Sequence, residues 1–204
     1  MKSCVLGIFV ALICIAGAVR ASSSEHEGAM PAAEAASVGE CNYGEPHPNA
    51  PPELAQFAFL IGDFEITSHG WAGDDWTPPR PGPRARWNGW YGLGGMAIYD
   101  EWYDPGPSSD PDAPRGVNVR MFDPEAEQWQ MGWIGSAALQ VQDLRAEMRD
   151  GKLTMWQVYP ERPDFLADFT VVDEDHWYRT SYNQDANGEW TRQFKLAASR
   201  MPCG

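Results

Sequence analysis

From residue 59 to residue 200 the chain is a succession of short runs in which apolar and polar residues alternate. Turn signals cut the succession at intervals of roughly 8 to 14 residues. No stretch there repeats apolar residues at the spacing of a long amphipathic helix. An alternating run satisfies its backbone by pairing with a neighbour, and its apolar face has to be covered. The chain therefore reads as all-β. About ten strands are expected, over 59–69, 84–91, 95–103, 116–122, 128–135, 139–149, 152–159, 165–172, 176–183 and 190–200. Asp150-Gly151 is a strong two-residue hairpin signal, and Asp123-Pro124 and Asn187-Gly188 mark further turns. Short connections favour an up-and-down order, and a closed barrel of this size encloses a cavity. A sandwich would need long crossovers, which only the Pro-rich loops at 74–83 and 104–114 could supply.

The N-terminal part is different. A basic start, Met1-Lys2-Ser3, precedes an apolar run over 4–19 that ends at the small-residue site Val19-Arg20-Ala21. Residues 1–21 have the shape of a secretory signal peptide, the run being short for a membrane span; an uncleaved anchor is the alternative. Residues 22–50 are rich in Ala, Ser, Glu and Pro and hold no Lys or Arg, so they read as an acidic disordered spacer. The domain is expected over 51–204. Residues 49–54 read as a helix start with prolines in the first turn, and a short helix there could close one barrel end.

Cys4 and Cys14 fall in the signal, leaving Cys41 and Cys203 to flank the domain. In an oxidising compartment they would pair as a disulfide; two free thiols are the alternative. The formal net charge is −14, which repels nucleic acid and anionic lipid. A secreted or periplasmic protein is expected, with no nucleic-acid partner and no stable membrane insertion once the signal is removed.

Three segments carry a family resemblance. Phe59-Leu60-Ile61-Gly62-Asp63-Phe64-Glu65 resembles the opening Gly-x-Trp motif of lipocalin-like (calycin) barrels, with Phe64 in place of the usual Trp. Arg120-Met121-Phe122-Asp123-Pro124 with Trp129 and Trp133, and then Asp175-His176-Trp177 with Ala198-Ser199-Arg200, resemble the hairpin and tail of a lipocalin-like family of unknown function. The resemblance implies a single antiparallel calycin-like barrel with room for a ligand and no agreed reaction. It also implies that Arg200 packs over Phe64 as a cation–π and hydrogen-bond latch.

The expected ligand is a small apolar or aromatic molecule. Trp129, Met131 and Trp133 share one face of their strand, the natural core face. Arg192 shares one face of its strand with Trp190, Phe194 and Leu196, an unusual position for a charge. Mid-strand Glu101, Arg120, His176 and Arg179 could converge inside as a polar patch in an apolar pocket. Trp90, Trp102, Arg120, Trp129, Trp133, Trp156, His176 and Arg192 are the candidate ligand-binding residues, with Arg120 or Arg192 suited to an anionic head group. A second reading is a cofactor-free enzyme in which His176 and a carboxylate such as Glu101 move a proton. A third is a filled barrel whose outer surface binds proteins. The sequence has no metal-ligand pattern, and no metal or other cofactor is expected. Gly92-Leu93-Gly94-Gly95 reads as a tight hairpin, because no helix follows it to receive a phosphate.

Overall fold

The structure is a computed structural model that describes residues 42–105, 112–137 and 139–202. Ten strands follow one another: β1 Gly62–Gly70, β2 Ala85–Gly92, β3 Ala97–Tyr103, β4 Arg115–Asp123, β5 Gln128–Gly135, β6 Gln140–Arg149, β7 Lys152–Tyr159, β8 Arg162–Val171, β9 His176–Gln184 and β10 Trp190–Arg200. Each pairs antiparallel with its sequence neighbours, and β10 returns to pair with β1, so the sheet closes on itself. This is the up-and-down barrel that the strand rhythm implies. The expected signal peptide and both Cys41 and Cys203 lie outside the described residues.

The turn chemistry sets the register. Asp150 (φ 50°) and Gly151 (φ 77°) both take left-handed backbone, as a type I′ hairpin requires, and Arg149 pairs directly with Lys152 across it. Asp123 holds the next hairpin by accepting the backbone N–H of Glu125 and Ala126 at 3.0 and 3.1 Å. Period-2 burial then decides what points inward. On β5 the inward set is Trp129, Met131 and Trp133, while on β4 it is Gly116, Asn118, Arg120 and Phe122.

One end of the barrel is plugged. A 3₁₀ helix, Pro52–Leu60, buries Leu54, Phe57 and Leu60 under it. Phe57 meets the edges of Trp129 and Phe169 at 4.8 and 5.5 Å, and Trp177 takes Phe64 and Trp87 edge-on at 5.6 and 5.2 Å. Burying each such ring stabilises the fold by about 1.5–3 kcal/mol, and edge-to-face contact adds about 0.5–1.5 kcal/mol. Arg200 lies 4.6 Å from the Phe64 ring centroid and donates to the backbone oxygens of Ile61 at 2.9 Å and Glu174 at 3.0 Å. The latch implied by the resemblance is present, with Phe replacing Trp as its platform.

The fold extends upstream of residue 51. Tyr91 N–H donates to Tyr43 O at 2.8 Å, His47 N–H donates to Gly95 O at 3.0 Å, and the Tyr43 hydroxyl donates to Asp63 at 3.1 Å. The end of the acidic segment is thus tied to the barrel.

Candidate ligand-binding site

Above the aromatic plug the barrel is not filled. A cavity of about 810 Å³ occupies the half bounded by the connections β1–β2, β3–β4 and β7–β8. Its wall is largely apolar and aromatic, with Trp87, Trp102, Trp133, Phe165, Phe169 and Phe194 among the lining side chains. Trp133 lies flat against the barrel wall because Gly116 and Gly135 leave it room. A Cβ on Gly116 would sit 2.1 Å from the indole. At the mouth Arg80, carried on the loop between β1 and β2, pairs with Asp104 at 2.5 Å.

A polar belt crosses the floor of this cavity. Asp100 on β3 and Arg120 on β4 form an ion pair with side-chain exposures of 0% and 1%. The Arg120 guanidinium also lies 5.0 Å from the Phe57 ring and 5.7 Å from Trp87. Burial is the main cause that pulls its pKa down to about 9, and the charge of Arg179 adds to the effect. Arg179 on β9 lines the cavity and lies 5.5 Å from the Phe194 ring. Its pKa falls to about 10 through burial. Both groups remain cationic near neutral pH. The Nε of Arg179, Oδ1 of Asn118, Oγ of Ser181 and Nε1 of Trp102 are buried, with no hydrogen-bond partner among the described residues. Such groups are costly to leave unmatched, so water or a bound molecule has to supply their partners.

Of the residues singled out from the sequence, Trp102, Trp133 and Arg120 line the cavity. Trp129 points inward but belongs to the plug, its indole N–H donating to Gln56 at 2.9 Å. The other four lie on the outside. Trp90 stacks on Tyr99 at 5.8 Å on the outer face of β2 and β3. Trp156 is covered by the Arg149 guanidinium at 4.4 Å. His176 opens β9 beside the plugged end and pairs with Asp173 at 2.8 Å, half its side chain being exposed. Arg192 is turned outward by a β-bulge: β10 pairs Arg192 with Tyr182 but Phe194 with Ser181, so Gln193 is an extra residue and the alternation changes sign there. Arg192 then lies over Trp71 at 4.9 Å.

The proton-transfer pair is not assembled. Glu101 faces outward on β3, where it accepts a hydrogen bond from Tyr103, and His176 sits at the opposite end of the barrel on another wall. Asp100, Asn118 and Ser181 escaped the sequence reading. Their signal was parity: Asp100 shares a face with Ile98 and Trp102, and Asn118 with Arg120 and Phe122.

No family model and no curated protein matches the chain. Among solved structures it is similar to an S-type phycobiliprotein lyase, CPES from Guillardia theta, at 10% identity over 74% of this chain and 93% of that one, with a TM-score of 0.46. It is also similar to Rv2717c from M. tuberculosis, at 7% identity over 76% of this chain and 100% of that one, again with a TM-score of 0.46. Likeness at that level does not reach the chemistry of the cavity.

Proposed function

We propose that the protein is a small-molecule-binding barrel that holds an apolar or aromatic molecule in its open half. The observation that carries this reading is the cavity of about 810 Å³, large enough for an organic molecule of several rings and with six phenylalanine and tryptophan side chains in its wall. A filled barrel would continue the packing of the plug to the mouth, and the packing stops instead at the belt of Asp100, Arg120 and Arg179. The apolar run over 4–19 and the small-residue end at Val19-Arg20-Ala21, which have the pattern of a secretory signal, support action outside the cytoplasm.

Titration with the neutral fluorophore N-phenyl-1-naphthylamine tests the reading. Binding should raise its emission and quench Trp102 and Trp133. Ser68→Trp, which projects an indole into the cavity from β1, should abolish both signals while leaving the fold intact by circular dichroism. An unchanged titration in the Ser68→Trp variant would place any binding elsewhere and refute the proposal.

A further inference from the structure

The arginines of the cavity wall are not equivalent. Arg80 has Asp104, Arg120 has Asp100, and Arg162 has Asp164 at 3.5 Å. Arg179 has no carboxylate and no hydrogen-bond acceptor among the described residues, and its Nε is buried and unmatched. β4 and β9 lie opposite one another in the closed ring, so Arg120 and Arg179 approach from facing walls. Asp100 cancels one of their two charges. What remains is a single positive charge at the floor of an apolar cavity, where Coulomb interactions are stronger than in water.

We infer that the gap between Arg179 and Arg120 receives the anionic group of the bound molecule, and that the barrel therefore selects small organic monoanions, a carboxylate or sulfonate on an apolar or aromatic body. This rests on the small-molecule-binding reading above. A guanidinium suits such a group because its planar fork can give two parallel hydrogen bonds to two oxygens. The indole N–H of Trp102, on β3 beside the strand of Arg120, and the hydroxyl of Ser181, two residues from Arg179 on β9, are further unmatched donors. The head group would enter first, with the body behind it against Trp102, Trp133 and Phe165. A neutral molecule leaves the Arg179 charge unmatched, a cation is repelled, and a dianion brings one charge more than the site can cancel.

Two fluorophores with the same ring system separate the possibilities. 1-Anilinonaphthalene-8-sulfonate carries the anion, and N-phenyl-1-naphthylamine is the same molecule without it. The wild-type protein should bind the sulfonate about 10- to 100-fold more tightly, the range expected for a charge-assisted hydrogen bond in a dry site. Arg179→Met should erase that preference, so that the ratio of the two affinities falls to about 1 whatever the change in neutral-probe binding, and Arg179→Lys should keep part of it. Equal binding of the two probes by the wild-type protein would overturn the anion site and leave the binding barrel standing; that comparison needs no variant to fold. An Arg179→Met variant that keeps the full preference would overturn it as well. Failure of both probes to bind the wild-type protein would remove the small-molecule reading and this inference together.

Discussion

Removing either member of the Asp100–Arg120 pair should cost far more than removing both. Both side chains are withdrawn from water, at 0% and 1% exposure. Deleting one partner of a buried pair costs about 3–5 kcal/mol, because the other charge is stranded, whereas replacing both by apolar groups of similar size is often near neutral. At about 2–4 °C per kcal/mol for a domain of this length, each single variant should melt roughly 6–20 °C below wild type. The two singles should also differ. Arg120→Met keeps a flexible apolar side chain against Phe57 and Trp87 and strands a single carboxylate. Asp100→Leu leaves two cations facing each other, so it should be the worse of the two. The double variant Asp100→Leu/Arg120→Met should recover to within about 1–2 kcal/mol of wild type. Urea and thermal denaturation followed by circular dichroism measure all four proteins. The exposed pair Arg149–Glu147 (45% and 35%) is the control, worth about 0–1 kcal/mol. A double variant whose loss equals the sum of the singles, or singles no more damaging than Arg149→Met, would refute the reasoning.

Arg200→Met removes a ring contact and the hydrogen bonds to Ile61 and Glu174 that hold the plugged end; a loss of about 2–4 kcal/mol in urea unfolding is expected, and Arg200→Lys should regain only part of it. Gly116→Ala forces the Trp133 indole away from the wall and into the mouth; it should cost about 1–3 kcal/mol and weaken the neutral fluorophore, whereas Gly132→Ala, which meets nothing within 4 Å, should do neither. Burial, helped by the hydrogen bond to Glu101, pushes the Tyr103 hydroxyl from its ordinary 10 up to about 12. The folded state therefore resists an ionisation that the unfolded chain accepts, so stability is intact below pH 10 and declines as pH rises from 10 towards 12. Tyr103→Phe should flatten that decline, and parallel alkaline melting curves for the two proteins would count against it.

The backbone arrangement was legible because it is written in period-2 alternation and in turn chemistry. Asp150-Gly151 names its own hairpin, and the prolines at 51 and 52 mark the helix that becomes the plug. Side-chain direction was legible only where alternation runs unbroken, as on β5. It failed for Arg192 because one extra residue, Gln193, reverses the parity, and nothing in the local sequence announces a bulge. It failed for Trp90 and Trp156 because a tryptophan on a strand is apolar enough for a core yet is equally satisfied outside by Tyr99 or by the Arg149 guanidinium. Asp100 and Asn118 were passed over for the opposite reason: their polarity argued for solvent, while Asp100 is in step with inward Ile98 and Trp102, and Asn118 with inward Gly116, Arg120 and Phe122. A buried charge becomes readable only when its partner on the next strand is known, and that knowledge needs the register.

The closure of the ring by β1 and β10 bears on how this protein can meet others. Among the described residues every strand has a neighbour on both sides, so none of these strands offers a free row of backbone donors and acceptors to an incoming chain. A partner that meets this barrel finds side chains rather than a strand edge. The outer wall of β4–β6 presents Met121, Ile134 and Val141 at 44%, 50% and 58% exposure around the gap left by Gly132. Any assembly through that wall is a matter of shape and apolar area, and it can be dissolved by changing side chains while every backbone hydrogen bond of the barrel stays in place.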